Sequence, residues 1–434
     1  MNLFLHNFKF FLCFLLLFQW TSSRLLNVVQ LNRHGARTST NFRNGLLSKY
    51  FGSDMKLTPN GYRQHQILGQ YIHDKYINRL HFLSETYQKN QFEIFSTQTQ
   101  RTIFSAEGFL SGLYPGSVVK VSYDNKALDI ITNDTIPFLI NYKPLFNFQQ
   151  TEIELKVIDL KNDIMFHPMN CKLNGKILKN ELIKNNKNLF FNISEAEIKE
   201  SIDEIAKFLN VTLNQSAPVN DSQKMTELQK LFFVYSYHFN KQWENLSPKA
   251  KILMRKMVLN KWYSTRTKDS KYLKLGVSAI FDEILSKFNN AKKRQSFLKE
   301  KNKIFTVYST HDTTLVNILS NLISLNAIKD KVHKALYDDK LFNFLVPPFA
   351  SSIIFEFHSD DNNPNRYYVQ VYYNGELITK NIKNIDDNLI KDGKIPYDEF
   401  VKLFKNAIDF DYKKMDCSEE KERKESDDTI FSIS

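Results

Sequence analysis

Three times along this chain a short apolar run ends in a polar, charged cluster and leads on to a helical pattern. That repeat restricts the fold more than any other feature. The first run, residues 25–31, reads as a buried strand ending at Asn32, and Arg33-His34-Gly35-Ala36-Arg37 follows it. A helix then starts at Leu57-Thr58-Pro59-Asn60-Gly61, with Thr58 as N-cap and Pro59 in the first helical position. Ile67, Leu68, Tyr71, Ile72 and Tyr76 give it an apolar stripe that reads as core. The second run, residues 92–97, passes through Gln98-Thr99-Gln100-Arg101 into a helix that Pro115-Gly116 stops. The third, residues 304–309, is followed by Thr310-His311-Asp312 and a helix turning Leu315, Ile318, Leu319 and Leu322 inward. Strands alternating with helices predict an α/β fold, a mainly parallel central sheet covered by helices on both faces.

The strand ends carry the chemistry. In a parallel sheet, ligands bind beyond the carboxyl ends of the strands, near the point where strand order reverses. Arg33, His34 and Arg37 stand at one such end, Arg101 at a second, His311 and Asp312 at a third. A guanidinium holds phosphate oxygens in pairs and stays charged at any accessible pH. Helix N-termini after these ends add backbone N–H groups. The set describes a phosphate cradle with a histidine nucleophile, His34, and a carboxylic acid, Asp312, able to protonate a departing alcohol. Arg33, Arg37, Arg101 and His311 would bind the non-bridging oxygens. No cofactor is called for, and the histidines show no metal-ligand spacing. A lone histidine, an arginine pairing on its own helix and a His-Asp helix cap are the bland readings; the three clusters together outweigh them. His65, on an apolar helix face, reads as packed or surface-exposed, and His238 as a core or rim residue of the intervening segment.

The 434-residue chain has room for more than this core. Residues 1–23 read as a secretory signal: Lys9 is the only charge, 10–18 form a short apolar stretch, and Thr21-Ser22-Ser23 offers small residues for cleavage. The apolar stretch is too short to span a membrane comfortably, so no stable membrane insertion is expected after its removal. Residues 24–144 and 271–412 form a discontinuous α/β catalytic core on this reading. Residues 145–270 form an inserted, mainly helical cap, and 413–434 a charge-dense tail. Six Asn-x-Ser/Thr sites, at Asn133, Asn192, Asn210, Asn214, Asn220 and Asn245, fit a glycoprotein of the secretory pathway. Once Cys13 leaves with the signal, Cys171 and Cys417 remain, as one disulfide or as two unpaired thiols. The net charge of +12 is spread with Asn through the whole chain and forms no compact basic stripe, which argues against nucleic acid as a partner.

These motifs resemble the histidine acid phosphatases, the two-domain branch of the histidine phosphatase superfamily. The likeness runs from Leu25 to Cys417. Beyond the 33–37 cluster it includes LTPNGYRQH at 57–65, STQTQRTIFSAEGFLSGLYP at 96–115, YSTHDTTL at 308–315 and PPFASS at 347–352. The resemblance implies a phosphoglycerate mutase-like core with a helical cap and small phosphate monoesters as substrates. It implies a phosphohistidine on His34, Asp312 as acid, and Arg33, Arg37, Arg101 and His311 as phosphate ligands. It also implies a Cys171–Cys417 bridge, a homodimer and a secreted or lysosomal destination. Narrower phytase-like or lysophosphatidic acid phosphatase activity, and a catalytically inactive phosphate-binding protein, are the alternatives. Two departures stand out: Ser39 occupies the place of a usual motif proline, and Ser352 that of a frequent cysteine.

Overall fold

The computed structural model describes residues 23–38, 55–123, 151–160, 163–170, 180, 191–208, 246–263, 266, 270–297, 303–323, 331–382, 384–409 and 412. In chain order the elements are β1 (Ser23–Arg33), α1 (Pro59–His73), β2 (Phe92–Thr97), α2 (Gln100–Leu113), β3 (Val118–Tyr123) and β4 (Glu152–Ile158). Then come α3 (Glu195–Phe208), α4 (Pro248–Tyr263), α5 (Lys271–Phe297), β5 (Ile304–Thr310), α6 (Asp312–Leu322) and α7 (Asp339–Leu345). The chain continues through β6 (Ser352–Asp360), β7 (Tyr367–Tyr373), β8 (Glu376–Leu377), β9 (Ile395–Pro396) and α8 (Tyr397–Ala407).

The strands form one sheet in the order β3-β4-β2-β5-β1-β6-β7-β8, with β9 beside β7. From β3 to β1 every pairing is parallel, and from β1 through β6, β7, β8 and β9 every pairing is antiparallel. The third strand-then-helix unit therefore inserts its strand between those of the first two. Successive residues of β1 serve opposite faces, as a pleated strand requires. Val28 joins a core with Ile72 of α1 and Tyr76 just beyond it, and with Phe109 and Leu113 of α2. Val29 and Leu31 join a second core with Phe281 and Phe288 of α5, Leu315 and Leu319 of α6, and Phe400 and Phe404 of α8. Helices cover both faces.

Thr58 caps α1 as its sequence predicts, its hydroxyl accepting from the Gly61 N–H at 3.2 Å. The apolar stripe of α1 is differently disposed. Ile67 is 54% and Tyr71 37% exposed, while Gly61, His65, Gly69 and Ile72 face inward. The reason is backbone contact. A Cβ at Gly69 would stand 2.1 Å from Phe109 O, and one at Gly112 2.0 Å from Gln66 O, so α1 and α2 meet along their glycines. Apolar periodicity registers large side chains and misses a face built of small ones.

The stretch 145–270, expected as a mainly helical cap, also gives a strand to the sheet. Within it β4 pairs with both β3 and β2, well inside the sheet. Its burial alternates residue by residue, with Ile153, Leu155 and Val157 inside. The period-two pattern Glu-Ile-Glu-Leu-Lys-Val is legible once sought. Among the described residues of the remainder, α3 and α4 are helical. They are joined by Lys256 to Glu197 at 2.7 Å and Ser247 to Glu204 at 2.7 Å. The expected signal segment up to residue 22, Cys171, Cys417, Ser39, His238 and the expected tail lie outside the described residues. Ser23 itself already belongs to β1. No helix among the described residues is long and apolar enough to cross a membrane.

Candidate active site

Register brings the three clusters together. Arg33 lies beside Thr310, and Ser309 beside Ser96, on directly adjacent strands. The residues that follow leave the sheet at one edge, within a few strand spacings of one another. The ladder continues one residue past β1: His34 N–H donates to Thr310 O at 2.9 Å. Ala350 N–H donates to His34 O at 3.1 Å. Gly35 must be glycine, because a Cβ there would stand 2.2 Å from Gly61 O at the start of α1. Its N–H donates to Ser105 Oγ at 2.9 Å, and Ala36 N–H to Gln64 Oε1 at 2.9 Å. His65, fully buried, donates from Nε2 to Arg33 O at 2.9 Å. It is a packed histidine that secures the loop, and burial lowers its pKa to about 4.

His34 is 2% exposed. Its Nδ1 lies 2.8 Å from Gly35 O. A carbonyl can only accept, so Nδ1 carries the proton and Nε2 keeps its lone pair. Burial, and then Arg101, Arg33, Arg37 and His311, hold its pKa well below the usual 6.5. The ring stays neutral in acid that would protonate an ordinary histidine.

Around it stand the arginines. Arg33 places Nη2 2.9 Å from Asp312 Oδ2, donates from Nη1 to Pro347 O, and lies 4.1 Å over the Phe349 ring. Arg37 donates from Nη1 to Thr38 O at 2.9 Å. Arg101, in the first turn of α2, places Nη2 3.3 Å from His311 Nδ1. The Nε–H groups of Arg33, Arg37 and Arg101 are all buried without a hydrogen-bond partner. Buried donors are nearly always satisfied, so three orphans in one place point to an anion as their ligand. Burial and mutual repulsion bring Arg37 down to about 9, and burial brings Arg101 down to about 10 despite Asp312, so both remain cationic in acid.

His311 is buried beside His34, ring centroids 5.7 Å apart. Arginine can only donate, so Nδ1 accepts from Arg101 and Nε2–H donates to Thr97 Oγ1 at 3.0 Å. Asp312 opens α6, its Oδ1 accepting from Thr313 N–H at 2.8 Å. Burial pushes its carboxyl up, but Arg33, Lys261, Arg37 and the Thr313 N–H outweigh that and hold it below its usual 3.8. Arg33, His34, Arg37, Arg101, His311 and Asp312 thus form one cluster. No sequence motif singles out Thr97, Ser105, Gln64 or Lys261, nor His167, whose ring lies 4.8 Å from that of His311. The glutamine and the hydroxyls stand in the quoted stretches; Lys261 and His167 carry no local signal. The arrangement can hold a tetrahedral dianion among the guanidinium groups, with an unprotonated imidazole nitrogen and a carboxyl group alongside.

Comparison with known proteins agrees. The sequence model of the histidine phosphatase superfamily (branch 2) matches residues 24–374. The prostatic acid phosphatase of Homo sapiens is 26% identical over 334 residues, 74% of this chain and 69% of that protein. The lysosomal acid phosphatase of Rattus norvegicus is 24% identical over 340 residues, 74% of this chain and 63% of that protein. The solved phytase of Klebsiella sp. ASR1 superposes with a TM-score of 0.55 at 12% identity, covering 90% of this chain and 98% of that one, and so shares the fold.

Proposed function

The chain belongs to branch 2 of the histidine phosphatase superfamily, and on that premise we propose that it hydrolyses phosphate monoesters at acidic pH through a phosphohistidine on His34. The observation that carries this reading is the neutral His34 imidazole, its Nδ1 proton committed to Gly35 O, set among three arginines whose Nε–H groups are unpartnered.

The phosphoryl group of the monoester takes the orphaned donors of Arg33, Arg37 and Arg101, with His311 beside them. Its charge offsets that of the arginines that keep Asp312 ionised, so Asp312 gains a proton as the complex forms, supplied at acidic pH by the substrate monoanion or by solvent. His34 Nε2 attacks phosphorus, the ester P–O bond breaks, and Asp312 gives its proton to the leaving oxygen. Asp312, now a carboxylate, takes a proton from a water molecule as the oxygen of that water attacks phosphorus. The P–N bond breaks, and inorganic phosphate and neutral His34 are left. The arginines bear the developing charge throughout. The substrates are small monoesters of broad structure. The apolar leader, the Asn-x-Ser/Thr sites and the prostatic and lysosomal relatives support a secretory route, and exposed Asn192 just before α3 offers one glycosylation site.

Hydrolysis of p-nitrophenyl phosphate by the purified protein between pH 3 and 8, with EDTA present, tests the reading. An acid optimum is expected, together with loss of about a thousandfold or more in His34→Ala, whose fold persists. A folded wild type that turns over no monoester would favour the phosphate-binding alternative. Substantial turnover by His34→Ala would remove the phosphohistidine.

A further inference from the structure

Phosphate binding leaves His311 with an unsolved mechanical problem. Its two ring nitrogens are held by Thr97 and by Arg101, at 3.0 and 3.3 Å. On the phosphatase reading, the anion takes the unpartnered Arg101 Nε–H and draws the guanidinium toward itself, which strains the longer of the two bonds to the ring. The Thr97 bond at Nε2 is then the firmer anchor, and the ring can turn about it. Something else must hold its plane.

The segment after β4 supplies it. Asp163, buried and 0% exposed at its side chain, accepts from Phe166 N–H at 2.8 Å through Oδ1 and from His167 Nδ1–H at 2.7 Å through Oδ2. One carboxylate therefore shapes the turn and aims the imidazole that the turn carries. Two further contacts fasten the turn. Phe166 enters the sheet core 5.4 Å from the Tyr308 ring, and Asn170 Nδ2–H donates to Asp163 O at 3.1 Å. His167 is thus fixed at backbone and side chain. Its ring meets that of His311 edge to face, centroids 4.8 Å apart and planes 67° apart. His34 adjoins His311 as well, at 5.7 Å.

We propose that His167, aimed by Asp163, is a positioning residue of this phosphatase, holding the His311 ring in register with the bound phosphoryl group. The inference rests on the function proposed above and extends it: the segment leading from the sheet into the cap completes the phosphate site. His167 touches no reacting atom in this scheme. A held ring counts equally in the bound substrate and in the transition state, so its loss weakens binding more than turnover.

The test compares wild type, His167→Ala, His167→Phe and Asp163→Asn as full chains. KM and kcat are measured with p-nitrophenyl phosphate, and the affinity for inorganic phosphate by calorimetry. His167→Ala is expected to raise KM and the phosphate Kd about tenfold with kcat within about twofold. His167→Phe keeps a ring against His311 but lacks the bond to Asp163, so it falls between, with Asp163→Asn near it. If His167→Ala does not fold, the phenylalanine and asparagine variants decide. Wild-type KM and Kd in the variants overturn the inference, as does a loss confined to kcat, the mark of a smaller active fraction. A wild type that turns over no monoester defeats the functional reading instead, and the phosphate Kd values still decide the role of His167.

Discussion

At the residue scale the decisive property is opposite protonation in adjacent groups. Burial and three arginines keep His34 neutral, while Arg33, Lys261 and Arg37 keep Asp312 ionised against its own burial. An ionised Asp312 has no proton to give, so on the proposed mechanism it can act as an acid only once substrate anion offsets the guanidinium charge. Asp312→Asn should therefore lower kcat by about 10²–10⁴-fold on an alkyl phosphate, whose leaving group needs a proton. The loss on p-nitrophenyl phosphate, which departs as a stable phenolate, should be much smaller. Equal losses on both substrates would mean that Asp312 positions rather than protonates.

At the scale of elements, α1 and α2 act as one unit because their backbones touch. Gly69 and Gly112 leave no room for a Cβ, and the same two helices carry His65, Gln64, Arg101 and Ser105 to the loop around His34. Gly69→Ala should cost about 1–3 kcal/mol or more, read from the urea midpoint, because overpacking against a carbonyl cannot be relieved by a rotamer. Tyr71→Ala, two residues along on the exposed face, should cost much less. If the two substitutions cost the same, the close approach of the helices is not what holds them. This helix face was the least legible in the sequence, since glycines leave no apolar signal. Strands β1, β2 and β5, the N-cap at Thr58 and the helix after Asp312 were legible because each rests on neighbours a few residues away.

At the scale of the whole molecule the buried histidines make stability depend on pH. His34 and His311 lie well below the usual 6.5, and burial takes His65 to about 4. Each binds a proton more readily unfolded than folded. The stability they carry is therefore complete above about pH 6.5 and is lost as pH falls toward their folded values. Glu107, raised by burial to about 7, works in the opposite sense over the same range, and one carboxyl does not offset three imidazoles. Glu356, held at about 2 by His358 and Lys75 despite its burial, adds a further loss once pH falls below its usual 4.5. Calorimetry on the free protein should show Tm falling by several degrees from pH 7 to pH 5. Inorganic phosphate should recover part of the fall by binding the native site alone. A Tm that rises toward pH 5 would contradict the buried, neutral state of these histidines.

The sequence by itself determined which elements carry the candidate residues: Arg33, His34 and Arg37 at the end of one strand, Arg101 after a second, His311 and Asp312 after a third. Local periodicity and capping suffice for that, because they report on contacts along a single strand or helix. Tertiary structure decided which strands are neighbours. It slots β5 between β1 and β2, draws β4 from the supposed cap into the sheet, and sets His167 against His311. Those choices depend on how whole faces pack and how far the chain must cross over to return. No window of a few residues contains that information.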